Sequence, residues 1–364
     1  MRYRAFSLVE LAVSMAIAGI VVAAATTAAV NVTRLLKLEG KKSIADQDSR
    51  RLVDFVVGRM QVAGGGSVRP WMAMWHEQGC AARNGLPACD GHDRLTIVDV
   101  DTLRTECEVV SATATTLVFP DAVDGVCCFD WPLGALEDPE QADQFSAQPL
   151  MLVNGRNMWT MVVATDAGEH GADGGDGCTY GLTGVRPLAG WADTTAALTG
   201  FAGGVAVPVA TRTLYLGAPQ PAADAPVSVR TGPTTSTLLP PDHLLEWFDD
   251  NNDAFVSDGE IRVVFPGVYD FQLALGFDEP ENGRVIDAAS TSDEWWGNAA
   301  ETGNMPFERS GLRMGNVGVI VGVKAVDPGQ KTLSVLNGPA FTRSNHVMRK
   351  AVGKAMLRNI AVFY

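Results

Sequence analysis

Glu10 is the one charged residue in FSLVELAVSMAIAGIVVAAATTAAVNV, the run from Phe6 to Val32. A carboxylate inside lipid costs about 2.5–3.5 kcal/mol on insertion scales, so a residue kept there points to a function and to a partner. Two buried charges that neutralise each other cost far less than either alone. The chemistry open to Glu10 is therefore pairing with a positive group on an adjoining helix, which would also fix the register between the two. Catalytic chemistry has no comparable signal. The chain has five His, no GxSxG, no HExxH and no Gly-rich phosphate loop, and nothing marks a nucleophile beside a base. The expected protein is not an enzyme.

A second set of oxygen-bearing residues lies in DDNNDAFVSDGE. Counting from Asp249, Asn251 is third, Asp253 fifth, Phe255 seventh, Ser257 ninth and Glu260 twelfth. Calcium takes six to eight hard oxygens at about 2.3–2.6 Å. Three short side chains at alternate positions, a carbonyl at 255, a hydroxyl or water at 257 and a two-oxygen Glu could supply them. The spacing resembles the calcium loop of EF-hand and dockerin-like sites. Ala254 stands where that motif has Gly, and a left-handed backbone there costs about 1–2 kcal/mol. Calcium is the cofactor expected here, with a structural role, against an acidic turn that binds nothing.

Cys80, Cys89, Cys107, Cys127, Cys128 and Cys178 make an even count, which outside the cytoplasm favours disulfides. Cys80 with Cys89 would close a short loop, and Cys107 with Cys127 or Cys128 a hairpin-sized one. No CxxC pair or nearby His set has zinc spacing. The loop DAGEHGADGGDG offers Glu169, His170, Asp173 and Asp176, but its glycines read as a solvated loop.

The elements that must position Glu10 begin with the apolar run. About 25 residues at 1.5 Å rise make a helix of about 37 Å, enough for a hydrocarbon core of about 30 Å. The run is too long for a secretory signal peptide. Arg2 and Arg4 precede it, while Arg34, Lys37, Lys41 and Lys42 follow, so flanking charge alone does not orient it. The order of short basic leader, Ala5-Phe6-Ser7-Leu8-Val9-Glu10 and long apolar run resembles the processing motif of type IV prepilins and type II secretion pseudopilins. That resemblance implies cleavage between Ala5 and Phe6 by a prepilin peptidase and methylation of the Phe6 amine. It also implies that Glu10 pairs with the terminal amine of a neighbouring subunit. Ala5 replaces the usual Gly before the cut, and Thr27 stands where many pilins carry a kinking Pro, so a straighter helix is expected.

Past the apolar run, Ile44, Leu52, Val53, Val56, Val57 and Met60 recur at helical spacing, so the helix should continue and lay one face on a globular head. Gly64-Gly65-Gly66 should stop it. Beyond it, RLTIVDV, ATTLVF, MWTMVVAT, TRTLYLG and IRVVF read as antiparallel strands. PPDHLLEWF reads as a short helix entering the acidic loop, and residues 344–357 as partly helical. Trp295 and Trp296 fit an exposed docking patch or buried packing equally. GLRMGNVGVIVGVK and the following segment to LRNIAVFY resemble the end of PilW-type minor pilins, with strands at 317–323 and in NIAVFY.

The formal charge of −14 and the absence of a basic patch argue against nucleic-acid binding. The expected fold is α+β, with a long N-terminal helix on an antiparallel sheet. Its segments are a leader at 1–5, a transmembrane and filament-core helix at 6–32, an amphipathic helix at 33–63, and a β-rich extracytoplasmic head at 64–364 with an insertion around 120–260. The resemblance implies a minor pilin of a pilus tip or initiation complex, first in the inner membrane with a periplasmic head and then on the cell surface. Its implied partners are other pilins, the prepilin peptidase and a large tip adhesin. The alternatives are a type II secretion pseudopilin, and an adhesive or ligand-binding head carried by a pilin helix.

Overall fold

The structure, a computed structural model, describes residues 8–65, 73–78, 86, 92–100, 106–120, 148–154, 159–164, 169–170, 178–182, 198–217, 242–248, 260–278, 295–296, 303–304, 312–324, 331–333, 336, 341–343 and 346–357. Helix α1 runs unbroken from Leu8 to Val62. Ala and Leu supply its helix propensity, and Gly19, Gly40 and Gly58 are absorbed at about 1 kcal/mol each. Gly64, at φ 78°, and Gly65, at φ 56°, end it in the left-handed region that other residues avoid. The Gly65 amide donates back to the Val62 carbonyl at 3.0 Å, and the Gly64 amide to Val98 of the sheet at 2.9 Å.

The strands in chain order are β1 (Met74–Gln78), β2 (Asp93–Val100), β3 (Cys107–Glu108), β4 (Ser111–Ala112), β5 (Thr116–Phe119), β6 (Gln148–Val153), β7 (Trp159–Ala164), β8 (Glu169–His170) and β9 (Cys178–Gly181). They continue as β10 (Val205–Gly217), β11 (Asp242–Phe248), β12 (Ile261–Phe277), β13 (Trp295–Trp296), β14 (Gly303–Asn304), β15 (Leu312–Lys324), β16 (Lys331–Leu333), β17 (Phe341–Arg343) and β18 (His346–Met356). The large sheet has the order β14-β1-β2-β10-β11-β12-β15-β18, with β3 and β6 on β10, β7 on β6 and β13 on β12. Smaller sheets are β4-β5-β9-β8 and β16-β17. Neighbours pair antiparallel throughout, as in β12–β15 and β15–β18. This is the expected α+β arrangement.

The helix lies over β15 and β18. Ala45, Ser49, Leu52, Val53, Val56 and Met60 are its buried positions, one stripe at steps of three and four. Ile44, expected on that stripe, is 49% exposed, and Ala45 takes its place. Leu52, Val56 and Met60 join Ile97, Leu275, Val317 and Ala355 in the main core. A second core holds Cys107, Leu117, Phe119, Leu152, Cys178 and Tyr180, with Phe119 and Tyr180 edge to face at 5.4 Å. Of the stretch set apart above as an insertion, residues 205–217 and 242–248 supply two central strands of the large sheet.

Two expected helices are strands. PPDHLLEWF carries β11, hydrogen-bonded on one side to β10 and on the other to β12. Leu244 and Leu245 are both buried, so both faces are covered and the apolar run fits a central strand. Residues 344–357 carry β18, which pairs with β15 from Lys324↔His346 to Met314↔Met356. Its Ala, Lys and Met are good helix formers, but propensity is a weak prior and tertiary pairing overrides it.

Candidate functional site

From residue 8 to residue 37 every side chain of α1 is exposed. The surface is apolar, with Leu8, Leu11, Met15, Ile17, Ile20 and Val22 among its exposed groups. Glu10 stands in the first turn of the described helix. Four hydroxyls of this exposed stretch are turned inward to the backbone. Ser14 Oγ donates to the Glu10 carbonyl at 2.7 Å, Thr26 Oγ1 to Val22 at 2.8 Å, Thr27 Oγ1 to Ala23 at 2.9 Å and Thr33 Oγ1 to Ala29 at 2.8 Å. Each of these hydroxyls is thereby satisfied within the helix, the condition for lying in lipid. No sequence motif marks these residues, although a Ser or Thr in an apolar helix has the carbonyl four residues back within reach. The helix is long and apolar enough to cross a membrane, and no part of its apolar window is buried in the protein.

The rest of α1 is fastened to the head. Asp46 pairs with Arg349 at 2.9 Å. Val53 and Met60 sit where β18 and β15 carry Gly353 and Gly315; a Cβ on those glycines would lie 2.1 Å from Val53 Cγ1 and 2.2 Å from Met60 Cε. Near the helix end, Arg59 stacks on Phe55 and approaches Glu246 of β11 at 3.7 Å. Glu246, 1% exposed, also faces Arg212 at 3.8 Å and accepts a hydrogen bond from Arg262. One buried carboxylate thus ties α1, β10, β11 and β12 together. The site is a single rod with one half offered outward and the other locked to the sheet.

Residues 1–26 match the family model described as the prokaryotic N-terminal methylation motif. The N terminus carries the prepilin-type signature. It is the signature of pilins and pseudopilins, and it covers the leader, Phe6, Glu10 and most of the apolar run. No curated protein and no solved structure matches the chain.

Behind the helix that bears this signature, a buried polar seam joins β1 and β2 to the far half of β12. His76 Nε2 meets Asp93 Oδ2 at 3.0 Å, and the same oxygen accepts the Leu273 amide at 2.6 Å. His92 Nδ1 meets Asp270 Oδ1 at 3.0 Å, and Gln272 Nε2 donates to that oxygen at 2.9 Å. Burial raises the Asp270 carboxyl above its ordinary 3.8; the His92 and Gln272 contacts oppose the rise, and nearby Asp93 adds to it. A carboxyl with a raised folded pKa contributes most stability at or below its unfolded pKa and loses it as pH climbs through the folded value. Asp270→Asn should therefore flatten the fall in stability with rising pH above 3.8. Urea unfolding across the acid range checks it; an unchanged profile would contradict it.

The other expected site residues divide between described and undescribed positions. Ala5 and Phe6 lie outside the described residues, as do Asp249, Asn251, Asp253, Phe255 and Ser257. Glu260 is 5% exposed; its Oε2 accepts the Trp247 indole N–H at 3.1 Å, and its carbonyl accepts the Phe248 amide at 3.0 Å. It closes the β11–β12 connection from the strand side. Among the described residues no group of three or more His, Cys, Asp or Glu could hold a metal ion. Cys80, Cys89, Cys127 and Cys128 are outside the described residues, whereas Cys107 and Cys178 are buried and disulfide-bonded. Glu169 and His170 form the short strand β8 on β9, with Asp173 and Asp176 undescribed. Trp295 and Trp296 pair with β12 through Gly276 and Leu275. The segment NIAVFY is undescribed.

Proposed function

We propose that this chain is a minor pilin, cut between Ala5 and Phe6, methylated on Phe6 and built into the tip or initiation complex of a type IV pilus. The observation that carries the reading is the division of α1. Its first half is an apolar surface with one carboxylate and no cover from its own head, and it bears the methylation motif. Such a surface needs lipid before assembly and other helices after it. The locked second half carries load from that bundle into the head. The head argues for a tip position, because a bulky domain is hard to repeat along a thin filament.

On this reading the chain waits in the inner membrane as a single-pass protein with a periplasmic head, and then passes to the pilus surface. Its partners are the prepilin peptidase, other pilins through residues 6–32, and a large tip adhesin. Mass spectrometry of the mature amino terminus tests the processing step. The expected product begins at a methylated Phe6; an intact Met1 would overturn it. Sparse labelling at filament ends, seen by immunogold, is expected of a tip subunit. Labelling along a secretion pseudopilus would favour the type II system instead.

Two features of the head extend the proposal. The cysteines form disulfides that stiffen it outside the cytoplasm. The loop 249–260 binds calcium, supported by its ligand spacing and by a Glu260 held in place by Trp247. Calcium should raise the melting temperature of the purified chain, and Asp249→Ala with Asp253→Ala should remove the rise. No change up to millimolar calcium would remove the claim.

A further inference from the structure

Strand β18 ends the large sheet, and no described strand pairs with its outer edge. It is 11 residues long, against a usual five or six. It contains no Pro, and its eleven-pair register with β15 has no bulge. Long, regular edges are templates for another strand, and proteins blunt them with Pro, bulges or charge. Here only charge is present.

The direction of the backbone groups follows from the ladder. The Leu357 amide donates to the Arg313 carbonyl at 2.8 Å, in register with Met314↔Met356. Hydrogen-bonded and non-hydrogen-bonded pairs alternate along an antiparallel ladder. Arg349, Ala351, Gly353 and Ala355 therefore bond to β15, and Lys350, Val352, Lys354 and Met356 direct their N–H and C=O groups away from it. The side chains of these last four are also exposed.

Charge selects the occupant. Residues 328–364 hold Lys331, Arg343, Arg349, Lys350, Lys354 and Arg358 and no Asp or Glu, in a chain of net charge −14. A second copy paired antiparallel about Val352 would set Lys350 against Lys354, and like charges directly opposite repel. We propose that the Lys350–Met356 edge of β18 receives an extended strand of a partner protein that carries Asp or Glu at alternate positions. The partner continues the sheet by main-chain hydrogen bonds, and the two lysines choose its charge. This goes beyond the pilus reading and stands without it.

The test uses the full chain in detergent and two synthetic peptides, one alternating Val with Glu and one alternating Val with Lys. With the Glu peptide, hydrogen exchange at the amides of Lys350, Val352, Lys354 and Met356 should slow by about tenfold or more; the Lys peptide should leave it unchanged. Val352→Pro removes one outward N–H and no bond to β15, and it should abolish the protection. Lys350→Glu with Lys354→Glu should transfer the preference to the Lys peptide, which guards against a misfolded proline variant. Equal binding of both peptides, binding of neither, or an unchanged preference in the Glu double variant overturns the proposal. So does self-association through this edge, and so does protection in the chain alone that disappears on truncation after Leu357, since its own tail would then hold the edge.

Discussion

Glu10→Leu should insert into the membrane better than the natural chain and assemble worse. The two effects have opposite signs because the carboxylate has opposite value in the two states. Alone in lipid it costs about 2.5–3.5 kcal/mol, which Leu recovers. In an assembled bundle it would neutralise the methylated amine of an adjoining subunit. Removing one partner of a buried pair leaves the other uncompensated, at about 3–5 kcal/mol. At about 1.4 kcal/mol per factor of ten, incorporation into filaments should fall by roughly a hundredfold or more. Counting tagged chains in sheared pili against those left in the inner membrane measures it. Glu10→Asp should retain part of the assembly, because the charge is kept and only its reach shortens. Unchanged incorporation of the Leu variant would refute the pairing and the pilin mechanism with it.

Gly353→Val should loosen the head from its helix. The position faces Val53 Cγ1, which would lie 2.1 Å from an added Cβ, and Val53 is a short, stiff side chain with little room to give. Overpacking of this kind costs about 1–3 kcal/mol, and here it falls on the contact that holds α1 to the sheet. Val53→Ala in the same chain should return much of the loss, since the two residues share one contact and couple directly. Gly58→Ala provides the contrast. Nothing lies within 4 Å of a Cβ at Gly58, so the substitution should only add helix propensity and stabilise by up to about 1 kcal/mol. Chemical unfolding of the three variants gives the ranking. Equal stabilities at positions 353 and 58 would mean that the helix does not press on β18.

Much of the polar chemistry was invisible in one dimension for a plain reason. Asp93 and Leu273, or His92 and Asp270, are far apart in sequence and meet only because β2 and the far half of β12 close on each other. No spacing rule announces such a pair. Glu246 is similar: its neighbours Arg59, Arg212 and Arg262 come from three different elements. Gly315 and Gly353 look like weak points in strands until the helix above them is known.

Read along the chain, the residues were enough to specify the membrane-length helix, its lone carboxylate, its processing signature, its glycine stop and the strands β2, β5, β7, β10, β12 and β15. Each is a local property: hydropathy, periodicity and turn chemistry act within a few residues of where they are written. Folding was needed to settle that DHLLEWF and the 346–356 segment are strands, that Ala45 rather than Ile44 meets the sheet, and that no described strand pairs with the outer edge of β18. Those outcomes turn on which neighbour covers a segment, and cover is supplied by chain that is distant in sequence.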